Sequence, residues 1–157
     1  MYKTTIAPNT ESVLYDMRYR VEKWFGQGVE LLLDEFSSVN GINRNSLSVT
    51  PLRIEYEGGF NQTGKIYMNT YVSEISYLSF EIFQAAYQDN ELAAVCRCTV
   101  LLAANGNSFG LEFPESALQS LYHHYISPQQ CEKLYHITPY TKPSQPVDMR
   151  LRLIMSR

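Results

Sequence analysis

Asn9, Glu11, Asp16 and Glu22 crowd the stretch that leads into the first long apolar-periodic segment of the chain. A helix starting there presents first-turn N–H groups with no intrahelical partner, and its dipole places roughly half a positive charge at that end. Such an end holds anions and stabilises an oxygen that gains charge at a carbonyl. The amides of Tyr15, Asp16 and Met17 are the ones the pattern puts in that position. Asp16, the nearest carboxylate, reads either as the cap of the helix or as a general base. Asn9 has no useful pKa for base work, but its amide can position a water or a carbonyl. Glu22, one to two turns further on, is either an acid facing a site or a solvated face position. Glu11 reads as an exposed loop carboxylate. Tyr19 is either a pocket-lining phenol or a core ring.

Other residue types capable of chemistry fall into no recognisable constellation. His123, His124 and His136 lack metal-ligand spacing and form no dyad with Cys131, so no metal and no cofactor is expected. Cys96 and Cys98 stand two apart in an extended-looking run, which points both thiols the same way. With an odd total of three cysteines, they read as ordinary core thiols of a reducing, cytoplasmic setting. The net charge of -3 gives no electrostatic footprint for nucleic acid. The opening Met1 to Ile6 lacks a signal-peptide core, and no run approaches the roughly 20 apolar residues that span a bilayer. A length of 157 residues with 45% apolar and 18% charged composition fits one hydrophobic core.

The elements that must carry these residues follow from periodicity. A short strand over 3–7 is stopped by Pro8-Asn9. Met17, Val21, Trp24, Phe25, Val29, Leu32, Leu33 and Phe36 recur at three- and four-residue steps, which predicts a helix over 16–36. Gly26 and Gly28 inside it each cost about 1 kcal/mol against alanine, so something is expected to pack closely there, a sheet being the natural candidate. The signal then changes to period two. Strands are predicted over 47–56 with an interruption at Pro51, from Ile66 to Val72, from Leu78 to about Gln88, and over 92–102. Asp89-Asn90 is the hairpin turn between the last two. Leu92, Ala94, Cys96, Cys98, Val100 and Leu102 are expected on one face. Asn105-Gly106-Asn107 marks another turn before a strand over 109–113. A short helix over 114–121 has Pro114 in its first turn, and Ser127-Pro128 opens a further one- or two-turn helix to about Leu134. Pro139, Pro143 and Pro146 make an extended connection to a final strand from Val147 to Met155. Twelve tyrosines stand out, and Tyr67, Tyr71, Tyr77 and Tyr87 are candidates for an interface or a second layer.

Strand, long helix and antiparallel meander in this order resemble the hotdog fold, an α+β fold in which an antiparallel sheet wraps a long central helix. Local sequence carries the resemblance further. Asn9 to Tyr19 falls where 4-hydroxybenzoyl-CoA-type thioesterases have D-x-x-G-x-V-x-x-x-x-Y; the tyrosine and its spacing are kept, while Asn9 replaces the aspartate and Ser12 the glycine. Gly64-Lys65-Ile66 resembles the family's G-D-x-I/V strand start. Ser79-Phe80 and Leu92-Ala93-Ala94 resemble its S-F and G-x-L-x-A segments, and Phe113-Pro114-Glu115 its I/L-P-E helix opening. The match covers roughly residues 3–121. Asparagine in place of the acid is similar to the thioesterases of enediyne polyketide pathways, which pair it with an arginine on the central helix; here Gln27 and Val29 stand in that region.

The resemblance implies a hotdog thioesterase-like domain over 1–121 and a C-terminal extension, 122–157, packed on the same domain. It implies hydrolysis of an acyl-CoA or acyl-carrier-protein thioester in polyketide or fatty acid metabolism. Catalytic candidates are Asn9, Asp16 and Glu22, and substrate-binding candidates are Tyr15, Met17, Tyr19 and Ser79, the last reaching substrate from a partner subunit. A homodimer or homotetramer is implied, with no nucleic-acid or membrane partner. The acyl slot belongs between helix and sheet or at a subunit interface. A hydratase on the same fold needs a placed histidine with an acid, and residues 3–121 contain no histidine. A non-catalytic acyl-binding or assembly subunit keeps the slot without a base and stays open as the alternative. Arg150 and Arg152 are either contacts for an acidic carrier or scattered surface charge.

Overall fold

The computed structural model describes residues 2–6, 14–58, 60, 65–103 and 110–136, with backbone alone for 2–6, 14–18, 135 and 136. Strand β1 (Tyr2–Ile6) precedes helix α1 (Leu14–Asn40). Strands β2 (Leu47–Val49), β3 (Arg53–Tyr56), β4 (Ile66–Ile75), β5 (Ser79–Gln88) and β6 (Glu91–Leu102) follow, then helices α2 (Glu115–Leu121) and α3 (Pro128–His136). The sheet is antiparallel in order β1-β4-β5-β6-β2, with β3 also paired to β6.

Helix α1 runs four residues beyond its expected end. Gly41, at φ +64°, takes the left-handed position, and the Ile42 N–H donates to the Ser37 carbonyl, the bond that closes a Schellman stop. Its apolar stripe, Val21, Phe25, Val29, Leu32, Leu33 and Phe36, is buried against the sheet. Only one of the two glycines has a close neighbour. A Cβ on Gly28 would collide with the Gln84 amide nitrogen and crowd the Thr70 hydroxyl, whereas Gly26 has nothing within 4 Å.

Pro51 interrupts the edge as expected. Thr50 closes the gap, its N–H donating to the Thr99 carbonyl and its hydroxyl accepting from the Thr99 N–H. Asp89 and Asn90 both adopt positive φ (53° and 64°), the requirement of a two-residue type I′ hairpin. Irregularities at Val72/Glu74 and Ala86/Tyr87 break the pairing of β4 and of the β5–β6 ladder, and such bulges bend strands. The second one corrects an expectation. It turns Leu92 away from Ala94 and Cys96 and into the cluster of Tyr71, Phe83 and Tyr87 on the other face.

Two layers cover the sheet. Beneath the first half of α1 lie Ile66, Met68, Ala86, Ala94 and Cys96; beneath its second half lie Val72, Phe80, Ile82, Cys98 and Val100. The opposite face buries Tyr71, Phe83, Ala85, Tyr87 and Val95 under Ile126, Cys131 and Leu134. A reciprocal capping box starts α3: the Gln130 N–H donates to Ser127 Oγ, and the Ser127 N–H to Gln130 Oε1. Tyr71 and Tyr87 thus belong to a second layer within the chain and Tyr67 is half-buried, while Tyr77 stands apart at 69% exposure.

A strand over 109–113 is not formed among the described residues. Leu111 makes a single bridge to Leu102, and Phe113 turns inward to pack edge-on against Phe36. Pro114 caps α2 one position ahead of its first turn. The turn at Asn105-Gly106-Asn107, Phe109 and the expected strand over 147–155 lie outside the described residues, as do Arg150 and Arg152.

Candidate active site at the amino end of the central helix

The first turn of α1 contains Tyr15, Asp16 and Met17, described here by backbone alone. The amides of Tyr15 and Asp16 occupy positions that an α-helix leaves without internal acceptors, whereas that of Met17 is the first to bond within the helix. Asn9, Glu11 and Ser12 lie outside the described residues. Further along the helix, Tyr19 is 69% exposed, so within one chain it is not a core ring. Glu22 is exposed too. Tyr19, Lys23, Gly26 and Glu30 recur at three- and four-residue steps on the side away from the sheet. There Lys23, Gly26, Gln27, Glu30, Leu31 and Asp34 line an open groove of about 580 Å³.

Ser79 is not brought to this end of the chain. It starts β5 opposite Leu101, beside the residues that underlie the second half of α1. The turn fixes it there: its N–H donates to Ser76 Oγ, and Ser76 donates back to the Ser79 carbonyl. Any contact of Ser79 with the amino end of α1 must therefore join two copies of the chain.

Sequence reasoning passed over three polar features that the fold assembles. On the outer face, Glu81 is only 11% exposed and accepts from Ser73 Oγ at 2.7 Å and Arg97 at 2.8 Å, with Arg53 at 3.5 Å. Arg97 also sits over the Phe83 ring, 4.7 Å from its centroid. The signal was legible: single charges inside otherwise apolar strands, Glu81 between Phe80 and Ile82 and Arg97 between the two cysteines. The second feature is Gln84, a fully buried amide on the inner face. The third joins a histidine of the extension to the central helix, with His124 Nε2 3.9 Å from Glu35 Oε2. Leu32, Glu35, Phe36, Val39, Ser120, Leu121 and His124 line a crevice of about 10 Å³ there, room for one water rather than an acyl group. His123 is exposed.

The thiols are chemically quiet. Burial pushes Cys96 and Cys98 up to about 12 and Cys131 to about 11. A nucleophilic role at neutral pH does not fit such values. Among the described residues, no three His, Cys, Asp or Glu side chains gather for a metal ion, and no helix is long and apolar enough to cross a membrane. Iodoacetamide at pH 8 is expected to leave all three thiols unmodified in the folded chain and to label all three in denaturant, as mass spectrometry would register. The same shifts predict a pH dependence. The folded state holds these protons more tightly than the unfolded state, so stability is full below about pH 9 and falls as pH rises through the thiol range towards 12. Urea titrations at increasing pH check the sign; stability that rises above pH 9 contradicts it.

No protein-family model and no curated protein sequence matches the chain. Solved structures do. A predicted thioesterase from Bacillus stearothermophilus is 19% identical with a TM-score of 0.63, the match covering 81% of this chain and 98% of the other. The dynemicin thioesterase is 14% identical with a TM-score of 0.59 over 80% of this chain and 97% of the other. A gentisyl-coenzyme A thioesterase is 13% identical with a TM-score of 0.54 over 76% and 98%. Sheet order, central helix and these likenesses define one fold: the chain is an α+β protein of the hotdog type, as its sequence motifs implied.

Proposed function

We propose that the chain hydrolyses acyl thioesters, releasing an acyl group from coenzyme A or an acyl carrier protein. The observation that supports this reading is a 27-residue helix whose first half packs on a buried apolar layer, with its first-turn amides at one end. First-turn amides there would polarise the thioester carbonyl; water adds, the tetrahedral oxyanion is held by those amides, and the thiolate departs and takes up a proton. Asn9 positions the water or the carbonyl, and Tyr15, Met17 and Tyr19 bound the acyl group. Likeness to a gentisyl-coenzyme A thioesterase and to the dynemicin thioesterase supports a carrier-linked substrate.

The working unit in this reading is a homodimer or a homotetramer. Its support is the open groove on α1 lined by Lys23, Gly26 and Glu30, and the edge at β2 and β3, which among the described residues pair only with β6. Glu22 and Tyr19 face that side, so a second copy would enclose them, and the partner's sheet would bring Ser79. Three free, buried thiols support a reducing compartment such as the cytoplasm.

Two isosteric variants assign the base. Asp16→Asn is expected to lower kcat by about 10²–10⁴ with KM little changed if Asp16 activates the water. Glu22→Gln then leaves kcat within a few-fold. The reverse pattern moves the role to Glu22. Because α1 starts at Leu14, Asp16 is its third residue and not its N-cap. Full kcat with a stability loss of about 0.3–1 kcal/mol therefore makes Asp16 a first-turn carboxylate that complements the helix dipole. Single-turnover and steady-state kinetics on coenzyme A and carrier-protein thioesters of the same acyl group decide both points.

A further inference from the structure

The floor beneath the first half of α1 combines the small side chains Ala86, Ala94 and Cys96 with Ile66 and Met68, whereas Phe80, Ile82 and Val100 lie with Cys98 beneath its second half. A buried polar group marks the boundary. Gln84 Nε2 donates to the Phe25 carbonyl at 3.0 Å and to Thr70 Oγ1 at 3.2 Å. Gly28 lies over it so closely that no side chain fits between. The Phe25 carbonyl accepts and cannot donate, which settles the orientation of the amide. Oε1 is therefore the other end, and it is buried with no hydrogen-bond partner among the described residues. An unmet buried acceptor is costly, and a methionine of similar size would avoid the cost.

We infer that Gln84 is a specificity-determining residue of the acyl slot, its Oε1 accepting a hydrogen bond from a hydroxyl near the far end of a long acyl chain. The inference rests on the thioesterase reading, which places the carbonyl at the amino end of α1. From Asp16 to Gly28 the helix rises about 18 Å, so one molecule that reaches both points is a long-chain acyl thioester. Met68 and Phe60 belong to the same buried cluster, and Met68 is unbranched and readily repacked. A chain that ends in a methyl group leaves Oε1 unpaired, and a site built to pair a hydroxyl discriminates against the analogue that lacks it.

The test uses the full chain and two non-hydrolysable coenzyme A ligands, long-chain oxoalkyl thioethers of equal length with and without a terminal hydroxyl. Calorimetry is expected to show the hydroxylated ligand binding at least about tenfold more tightly. Gln84→Met, close in volume, is expected to erase the preference. Thr70→Val removes a neighbour of Nε2 but keeps Oε1, and is expected to retain it. The selectivity ratio is the readout, because a purely structural role would shift both affinities together. The wild-type ratio needs no variant to fold. Equal binding of the two ligands overturns the inference while thiol release from the matching thioesters leaves hydrolysis standing. Failure of both ligands to bind, with no thiol released, overturns the inference together with the thioesterase reading.

Discussion

Replacing Tyr15 with proline is expected to lower kcat for thioester hydrolysis by about 10²–10³ while leaving helix content unchanged. Tyr15 is the second residue of α1, and an N–H at that position has no acceptor inside the helix. Proline has no N–H, and its fixed φ suits a first turn. The substitution therefore deletes one oxyanion donor and little else. Donors of this kind act on charge that exists only in the transition state, so kcat should fall much more than KM rises. Tyr15→Ala separates the amide from the phenol: it keeps the N–H and is expected to hold kcat within a few-fold of wild type, any loss of acyl contact appearing in KM. A proline variant with full kcat and normal circular dichroism would place the oxyanion donors elsewhere.

The double substitution Ile126→Ala with Leu134→Ala is expected to destabilise the chain by an amount comparable to its whole folding free energy. Both side chains are buried over Tyr71, Phe83 and Tyr87, and each large-to-alanine change in such a layer costs about 2–5 kcal/mol. Domains of this size hold about 5–15 kcal/mol in total. Urea denaturation would then show either an unfolded chain or a midpoint displaced far to low urea. Leu78→Ala with Leu111→Ala, two residues of the same kind in exposed positions, is expected to stay within about 0.5 kcal/mol per site. Equal effects from the two pairs would mean that the segment after His124 merely rests on the sheet. A large difference makes it part of the core.

Periodicity alone located α1, because Val21 to Phe36 repeats at helical steps with no competing pattern. Turn chemistry located the hairpin at Asp89-Asn90, the break at Pro51 and the cap at Ser127, since each depends on backbone freedom or local hydrogen bonds that neighbours do not override. The end of α1 was misjudged because Ser37 to Asn40 are weak helix formers, while the true stop signal was Gly41. The Phe109–Phe113 alternation reads as a strand, yet Phe113 serves the core through its ring and, among the described residues of that segment, only Leu111 keeps a ladder contact. β4 and β5 also hid their environment. From Ile66 to Ser73 and from Ile82 to Gln88 nearly every side chain is buried, because α3 covers the face that a lone sheet would leave to water.

The candidate site was less legible than the fold. The first-turn positions of Tyr15 and Asp16 follow from spacing to a helix start, a local relation. Gln84, the Glu81–Arg97 pair and the approach of His124 to Glu35 depend on contacts between elements far apart in sequence, which no short motif encodes. Gly28 held a partial clue, as the helix glycine whose cost needed a close neighbour. Gln84 is that neighbour.

The central claim is thioester hydrolysis, and release of the thiol measures it directly. Because Cys96, Cys98 and Cys131 are buried and held protonated, a thiol reagent reads the liberated coenzyme A against little protein background. With a panel of acyl-coenzyme A thioesters of graded length at pH 7.5, the wild-type chain is expected to release free thiol well above the uncatalysed rate for at least one acyl group. No release above background at any length, from a chain shown by calorimetry to bind the same ligands, would contradict hydrolysis and leave an acyl-binding protein in its place.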